Sequence, residues 1–193
     1  MIPPDQAPER TDEAPAQRVR ERRWLPLILV SALILVVSGG ARTAAQVTAG
    51  APGPAVTVGG DVRIQPLAGW DLEQSDTDAA RFHRGPVLLD VFVGPPDPQG
   101  AASLAQRYVD SGLRASLAHV SVGEPGTTTI AGGVPAVRFG YVGITTDGVP
   151  IEGVVVAANG ARGAAVFDAY APQGALATVA DDLRTMIDTA AVS

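Results

Sequence analysis

Apolar residues run without a charge from Trp24 to Val37, and the run extends through Gly39, Gly40 and Ala41. About 18 such residues are just enough to cross a bilayer as a helix, so residues 24–41 are predicted to be a single transmembrane anchor. Trp24 suits the interfacial belt, and Pro26 falls in the first turn, where a missing N–H does little harm. A buried core helix would carry a polar stripe, and this segment has none. The stretch before it, residues 1–23, is rich in Pro, Glu, Asp, Gln and Arg and poor in bulky side chains. It is expected to be a disordered cytoplasmic tail. Arg18, Arg20, Arg22 and Arg23 crowd its end, and positive charge marks the side of the membrane that stays inside. Thr43-Ala44-Ala45 would also suit a signal peptidase, but the long n-region with mixed acids favours a retained anchor. Residues 42–54, dominated by Gly, Ala and Thr, read as a flexible linker.

From residue 55 to 193 the pattern becomes that of an extracytoplasmic globular domain. Short β-prone pieces at 56–58 and 62–64 precede a turn at Pro66-Leu-Ala-Gly-Trp70, which leads into Asp71-Leu-Glu, where a meander of short strands starts. Strands follow at 81–83 and 87–93, joined by Arg84-Gly85-Pro86. Asp97-Pro98 predicts an N-cap and a first helical residue, with Ala101, Leu104, Ala105 and Tyr108 at helical spacing and an end near Gly112. The β pattern resumes at 117–122 and is punctuated by Gly132-Gly133. Along 136–144, Val137, Phe139 and Tyr141 alternate with Arg138, Gly140 and Val142. Asp147-Gly148 and Asn159-Gly160 predict tight hairpin turns on either side of a strand at 151–157, with its partner at 162–170. Pro172 should open the last helix. Its Leu176, Val179, Ala180, Leu183, Met186, Ile187 and Ala190 make one apolar face, opposite Asp181, Asp182, Arg184, Thr185 and Asp188. The fold class expected is α+β, an antiparallel sheet with helices packed on it, preceded by one transmembrane helix.

Composition narrows what such a domain can do. A net charge of -6 disfavours nucleic acid as a partner, because phosphate backbones are held by clustered cations. All basic residues are arginine, so the lysine of a phosphate-binding P-loop or a Schiff base is absent. Cysteine is absent too, which removes disulfides, thiolate metal sites, cysteine nucleophiles and lipidation of a lipoprotein cysteine. The Ala, Gly, Arg and Val bias suggests a high-GC actinobacterial source.

The order of elements carries a resemblance. Strands near a Gly-Trp turn, a helix after Asp97-Pro98, Gly133-Val-Pro-Ala136 entering a strand, Ile151-Glu-Gly153 and a closing amphipathic helix resemble the PsbP-like fold over residues 56–190. The resemblance implies an α/β/α sandwich and a non-enzymatic accessory or binding module, since PsbP-like domains mostly assist larger assemblies. It brings no functional residue with it.

Candidate chemistry is sparse. His83 and His119 could join a Ser, His and Asp or Glu triad only on paper, because no Gly-x-Ser-x-Gly elbow or other nucleophile signature is present. The acidic set Asp71, Glu73, Asp76 and Asp78 lacks the glycine and the terminal glutamate of a calcium loop, and reads as a solvated loop. Trp70 and Tyr141 could line a ligand groove, although core packing is the commoner fate. Asp90 is the most unusual placement: a carboxylate in the apolar strand 87–93 needs a wet face or an arginine such as Arg81 or Arg138. No catalytic, cofactor-binding or metal-ligating residue is assigned. The expectation is a membrane-tethered accessory or binding module that is not an enzyme, needs no cofactor and touches the lipid bilayer and a protein partner of the cell envelope. The alternative is a small-molecule binder or hydrolase using a groove between sheet and helix, with Asp90 or His83 inside it.

Overall fold

The computed structural model describes residues 52–193. The predicted tail, the transmembrane segment at 24–41 and most of the linker therefore lie outside the described residues, and none of the described helices is long and apolar enough to cross a membrane. Two sheets form, both antiparallel throughout. β1 (Val56–Val58), β2 (Val62–Ile64) and β11 (Ala191–Val192) make a small sheet with β2 at its centre. The large sheet is built from β3 (Asp71–Ser75), β4 (Ala79–Arg84), β5 (Val87–Gly94), β6 (Leu117–Val122), β7 (Gly126–Ile130), β8 (Val134–Thr145), β9 (Pro150–Asn159) and β10 (Ala164–Pro172). Its order is β3-β4-β5-β10-β9-β8-β6, and β7 also pairs with β8. β6 lies along the second half of β8 and β7 along the first half.

Alternation of side chains assigns the large sheet two different faces. Val87, Leu89, Val91 and Val93 of β5 join Phe82, Phe167 and Val156 on one face, where the small sheet and the helix α3 (Ala180–Asp188) also bury Val58, Ile64, Leu183, Met186 and Ile187. On the other face, Val137, Phe139, Tyr141, Ile151, Val155, Ala157 and Val166 lie beneath α1 (Ala101–Tyr108). Complete burial of a Phe, Leu or Ile stabilises by about 1.5–3 kcal/mol each, so both layers are needed to hold the sheet between them. Phe82, Phe167, Leu89 and Ile64 are each 0% exposed.

Several local expectations are corrected. The first helix begins at Ala101 and not after Asp97-Pro98, because the Asp97 carboxylate is used in a turn: its Oδ1 accepts from Gln99 N at 2.7 Å, and Gly100 N donates to Asp97 O at 3.0 Å. The helix does not stop near Gly112. It continues through a π-helical turn, Val109–Leu113, into the short α2, Arg114–Ser116. Gly112 lies against the Tyr108 ring, where a Cβ would sit 3.0 Å from the ring edge.

Asp71–Ser75 is an edge strand with a bulge between Leu72 and Gln74, where a solvated loop was expected. Asn159-Gly160 is not a two-residue turn, since the reversal runs to Gly163 and closes through Gly160 N to Gly163 O at 2.9 Å. Pro172 ends β10 and does not begin a helix. A 3-10 turn, Leu176–Val179, precedes α3, and Ala180 points to solvent while Val179, Leu183, Met186, Ile187 and Ala190 are buried.

Candidate functional site

The apolar pattern of β5 and β10 is broken once in each strand, by Asp90 and Asp168. Register places the two directly opposite each other, and Arg81 of β4 directly opposite Asp90 on its other side. A row of arginine, carboxylate, carboxylate therefore crosses three adjacent strands on the face covered by α1. These side chains belong to residues only 6%, 5% and 4% exposed, in the same order.

Arg81 grips Asp90 in a fork: Nε donates to Oδ1 at 2.6 Å and Nη2 to Oδ2 at 2.7 Å. Bidentate geometry of this kind is the strong form of the arginine–carboxylate pair. Tyr170, two residues after Asp168 on the same face, adds a hydroxyl 3.3 Å from Asp90 Oδ2. Asp168 is held by tyrosines. Its Oδ2 accepts from the Tyr108 hydroxyl at 2.6 Å and its Oδ1 from the Tyr141 hydroxyl at 3.0 Å. Tyr108 comes from α1, so the Tyr108–Asp168 bond ties that helix to the middle of the sheet; the Tyr108 ring also meets Phe92 of β5, with centroids 5.9 Å apart. Tyr141 reaches across β9 only because residue 153 is glycine. A Cβ there would lie 2.3 Å from Tyr141 Cζ and 2.6 Å from its hydroxyl.

The electrostatics follow from the count of charges: one guanidinium faces two carboxylates. Burial works against the Arg81 charge, but the adjoining Asp90 carboxylate outweighs it and pushes the guanidinium pKa further up. Burial raises the Asp90 carboxyl, with the Arg81 bonds opposing. Burial pushes Asp168 up to about 7; the Tyr108 hydrogen bond lowers it and the Asp90 charge adds to the rise. Burial first, and the carboxylates next, drive the hydroxyls of Tyr108, Tyr141 and Tyr170 well above the ordinary phenol value, so all three stay protonated and act as donors. The cluster can take up or release a proton at Asp168 near neutral pH.

Of the two arginines considered for Asp90, the structure selects Arg81. Arg138 donates instead to Asp188 Oδ1 at 2.6 Å, fastening β8 to α3. His83 is half-buried on β4 and His119 exposed on β6, near opposite ends of the large sheet, so the two share no site. Asp71 and Glu73 stand on the exposed edge strand β3, and Asp76 in the turn after it accepts from Gln74 Nε2 at 2.6 Å. Among the described residues, no three metal-ligating side chains converge. Trp70 and Tyr141 both pack in the core, at 4% and 5% exposure; the Trp70 Nε1 finds no acceptor among the described residues. Asp168, Tyr108 and Tyr170 were not anticipated. The signal that drew attention to Asp90, a carboxylate amid apolar strand residues, is equally present in Ala-Ala-Val-Phe-Asp168-Ala-Tyr.

Antiparallel sheets, one helical segment beneath the large sheet and a C-terminal helix over its other face make this an α+β protein with a PsbP-like fold. Cyanobacterial PsbP (CyanoP) from Synechocystis sp. PCC 6803, whose structure was determined in solution, is similar over 79% of this chain and 98% of its own, with a TM-score of 0.55 and 12% identity. A Bacteroides thetaiotaomicron protein with a crystal structure at 1.50 Å resolution is similar over 76% of this chain and 49% of its own, with a TM-score of 0.51 and 9% identity. At such identities the likeness is one of fold. No family model and no curated protein matches the sequence.

Proposed function

We propose that this chain is a membrane-tethered extracytoplasmic accessory module that works by binding a protein of the cell envelope and performs no catalysis. The observation that carries this reading is how the domain uses its titratable interior. Arg81, Asp90, Asp168, Tyr108, Tyr141 and Tyr170 are bonded to one another on the α1 side of the large sheet, and Tyr108 of α1 itself closes over Asp168. A catalytic acid or base has to come within hydrogen-bond reach of a reacting proton, and these groups instead direct that reach at one another. The PsbP-like fold favours an accessory role. The tether is supported by the apolar run at 24–41 and the arginines before it.

Proximity labelling from the C-terminal side of the full chain, in its native host, tests this reading. Recurrent labelling of one envelope protein is the expected result. A saturable rise in melting temperature with a metabolite or a metal, together with no recurrent neighbour, would replace it with a small-molecule site, since a ligand that binds only the folded state raises the midpoint.

A further inference from the structure

Among the described residues the large sheet ends at β3 on one side and at β6 and β7 on the other, and the β3 and β6 edges are built differently. β3 carries Asp71 and Glu73, is bulged between Leu72 and Gln74, and is followed by Asp76 and Asp78. Charges and bulges are the usual devices that stop an edge strand from recruiting another. Two copies meeting edge to edge at β3 would set acid against acid. β6, Leu-Ala-His-Val-Ser-Val, has no carboxylate, arginine, proline or glycine. It is an uncharged edge of an acidic protein, and beside it on β8 stand the exposed side chains of Val142 and Ile144, 51% and 39% accessible.

The hydrogen-bond phase of β6 can be worked out from one bond. Gly123 N donates to Gly140 O, its opposite residue, at 2.8 Å, which makes that a hydrogen-bonded pair. In an antiparallel ladder bonded and non-bonded pairs alternate. Ser121 with Val142 and His119 with Ile144 are then also bonded pairs, while Val120 and Val122 turn their N–H and C=O groups away from β8 and outward. The regular stretch is bounded on both sides. A register shift falls between Leu117 and His119, and Glu124-Pro125 forms a bulge opposite Phe139 before β7 begins at Gly126. The flat run is residues 119–123, and Ser121 is its midpoint.

We infer that β6 is a self-association edge, at which a second copy of this chain pairs antiparallel about a two-fold axis through Ser121. In that pairing Val120 of one copy and Val122 of the second exchange both N–H···O bonds, and the symmetry repeats the exchange. Ser121 meets its own equivalent in a non-hydrogen-bonded pair, small and neutral, and His119 meets Gly123. No like charges are brought together along the run, which is what an acidic protein needs of a surface that meets itself. The contact is one short strand per copy, below the usual size of a stable interface, so association depends on local concentration. To that extent it rests on the proposed tether, which confines copies to one membrane.

The absence of cysteine supplies the test. Across a non-hydrogen-bonded pair the Cα atoms are about 4.5 Å apart, within disulfide range. The full chain carrying Ser121→Cys, oxidised in membranes of its host, should therefore run at twice its mass on a non-reducing gel. Ser75→Cys, on the exposed β3 edge, should stay monomeric. Two differently tagged full-length copies should co-purify from those membranes, and Ser121→Asp in both should abolish this by setting carboxylates face to face. No crosslink in the Ser121→Cys chain, equal crosslinking of the two cysteine variants, an adduct of another mass, or co-purification indifferent to Ser121→Asp would each overturn the pairing. A crosslinked product found in the soluble fraction would overturn the tether and leave the pairing standing.

Discussion

The two faces of the large sheet solve the same packing problem with different materials. Toward α3 and the small sheet, the strands present Val, Leu, Phe and Ala, and the interior there is held by apolar contact. Toward α1, equally buried strand positions carry an arginine, two aspartates and a tyrosine, with Tyr170 half-buried beside them. Apolar packing has no dependence on pH. A buried polar cluster holds only while every member keeps its partner and its charge state, and losing one partner leaves another stranded in a low-dielectric interior. The face beneath α1 is therefore the conditional half of the domain, and the face beneath α3 the unconditional half.

Matched substitutions on the two faces give the largest effects. Phe167→Ala, on the apolar face, should cost about 3–5 kcal/mol at any pH, as deep truncations of aromatic residues do. Arg81→Leu should cost a similar amount, about 3–5 kcal/mol at pH 7, because Asp90 loses its counter-charge. The two differ in acid: the Arg81→Leu penalty should shrink as Asp90 protonates, and the Phe167→Ala penalty should not. Urea titrations from pH 4 to 8 measure both, and parallel profiles would erase the contrast between the faces. Next in size, Gly153→Ala should cost about 1–3 kcal/mol by overpacking, since the new methyl occupies the place of the Tyr141 ring. The same titration reads it, and Tyr141→Phe in the Gly153→Ala background should recover little, because ring and methyl still collide.

Asp168 sets the smallest effect and the most specific one. Its folded pKa, about 7, lies above the ordinary value of 3.8, so the folded state binds a proton that the unfolded state has released between those two values. The contribution of Asp168 to stability should therefore fall as pH rises from about 4 to about 7 and level off above. Asp168→Asn keeps the shape and cannot ionise. It should gain about 1–2 kcal/mol at pH 8, once the loss of two charge-assisted tyrosine bonds is set against the shift, and should show a flatter profile from pH 4 to 7. A variant with an unchanged slope would mean that the ionisation of Asp168 is not what drives it.

Much of the sheet was legible because period-two alternation and Gly or Pro turns act locally. The strand at 136–144 and the buried face of the last helix are the plainest cases. The helix start at Asp97-Pro98 was misread because the same carboxylate can cap a helix or close a turn, and here Asn159 decides: its Oδ1 accepts from Asp97 N at 2.7 Å, from 62 residues away. β3 is legible only in part, as the start of a strand meander at Asp71-Leu-Glu whose acidic residues read as a solvated loop, for a related reason. An acidic strand is polar along its whole length when it lies at an edge, and only its pairing with β4 identifies it. Asp90 announced a buried partner, but the choice between Arg81 and Arg138 depended on which strands are neighbours. Tyr108 carried no signal, because a tyrosine at helical spacing looks the same whether its hydroxyl meets water or a carboxylate.

The row of Arg81, Asp90 and Asp168 also bears on how the chain finds its pairing. β9 and β10 are made largely of Val and Ala, and such strands would accept several alignments with little loss of apolar contact. Slipping β10 by one residue against β5 would turn Asp168 into the face occupied by Leu89 and Val91, far from any tyrosine donor. Slipping it by two would keep the face but set Val166 or Tyr170 opposite Asp90, and would carry Asp168 away from the reach of Tyr108 and Tyr141. The charged row thus acts as a checksum for folding: among many near-equivalent alignments of oily strands, one alone leaves no carboxylate without a donor.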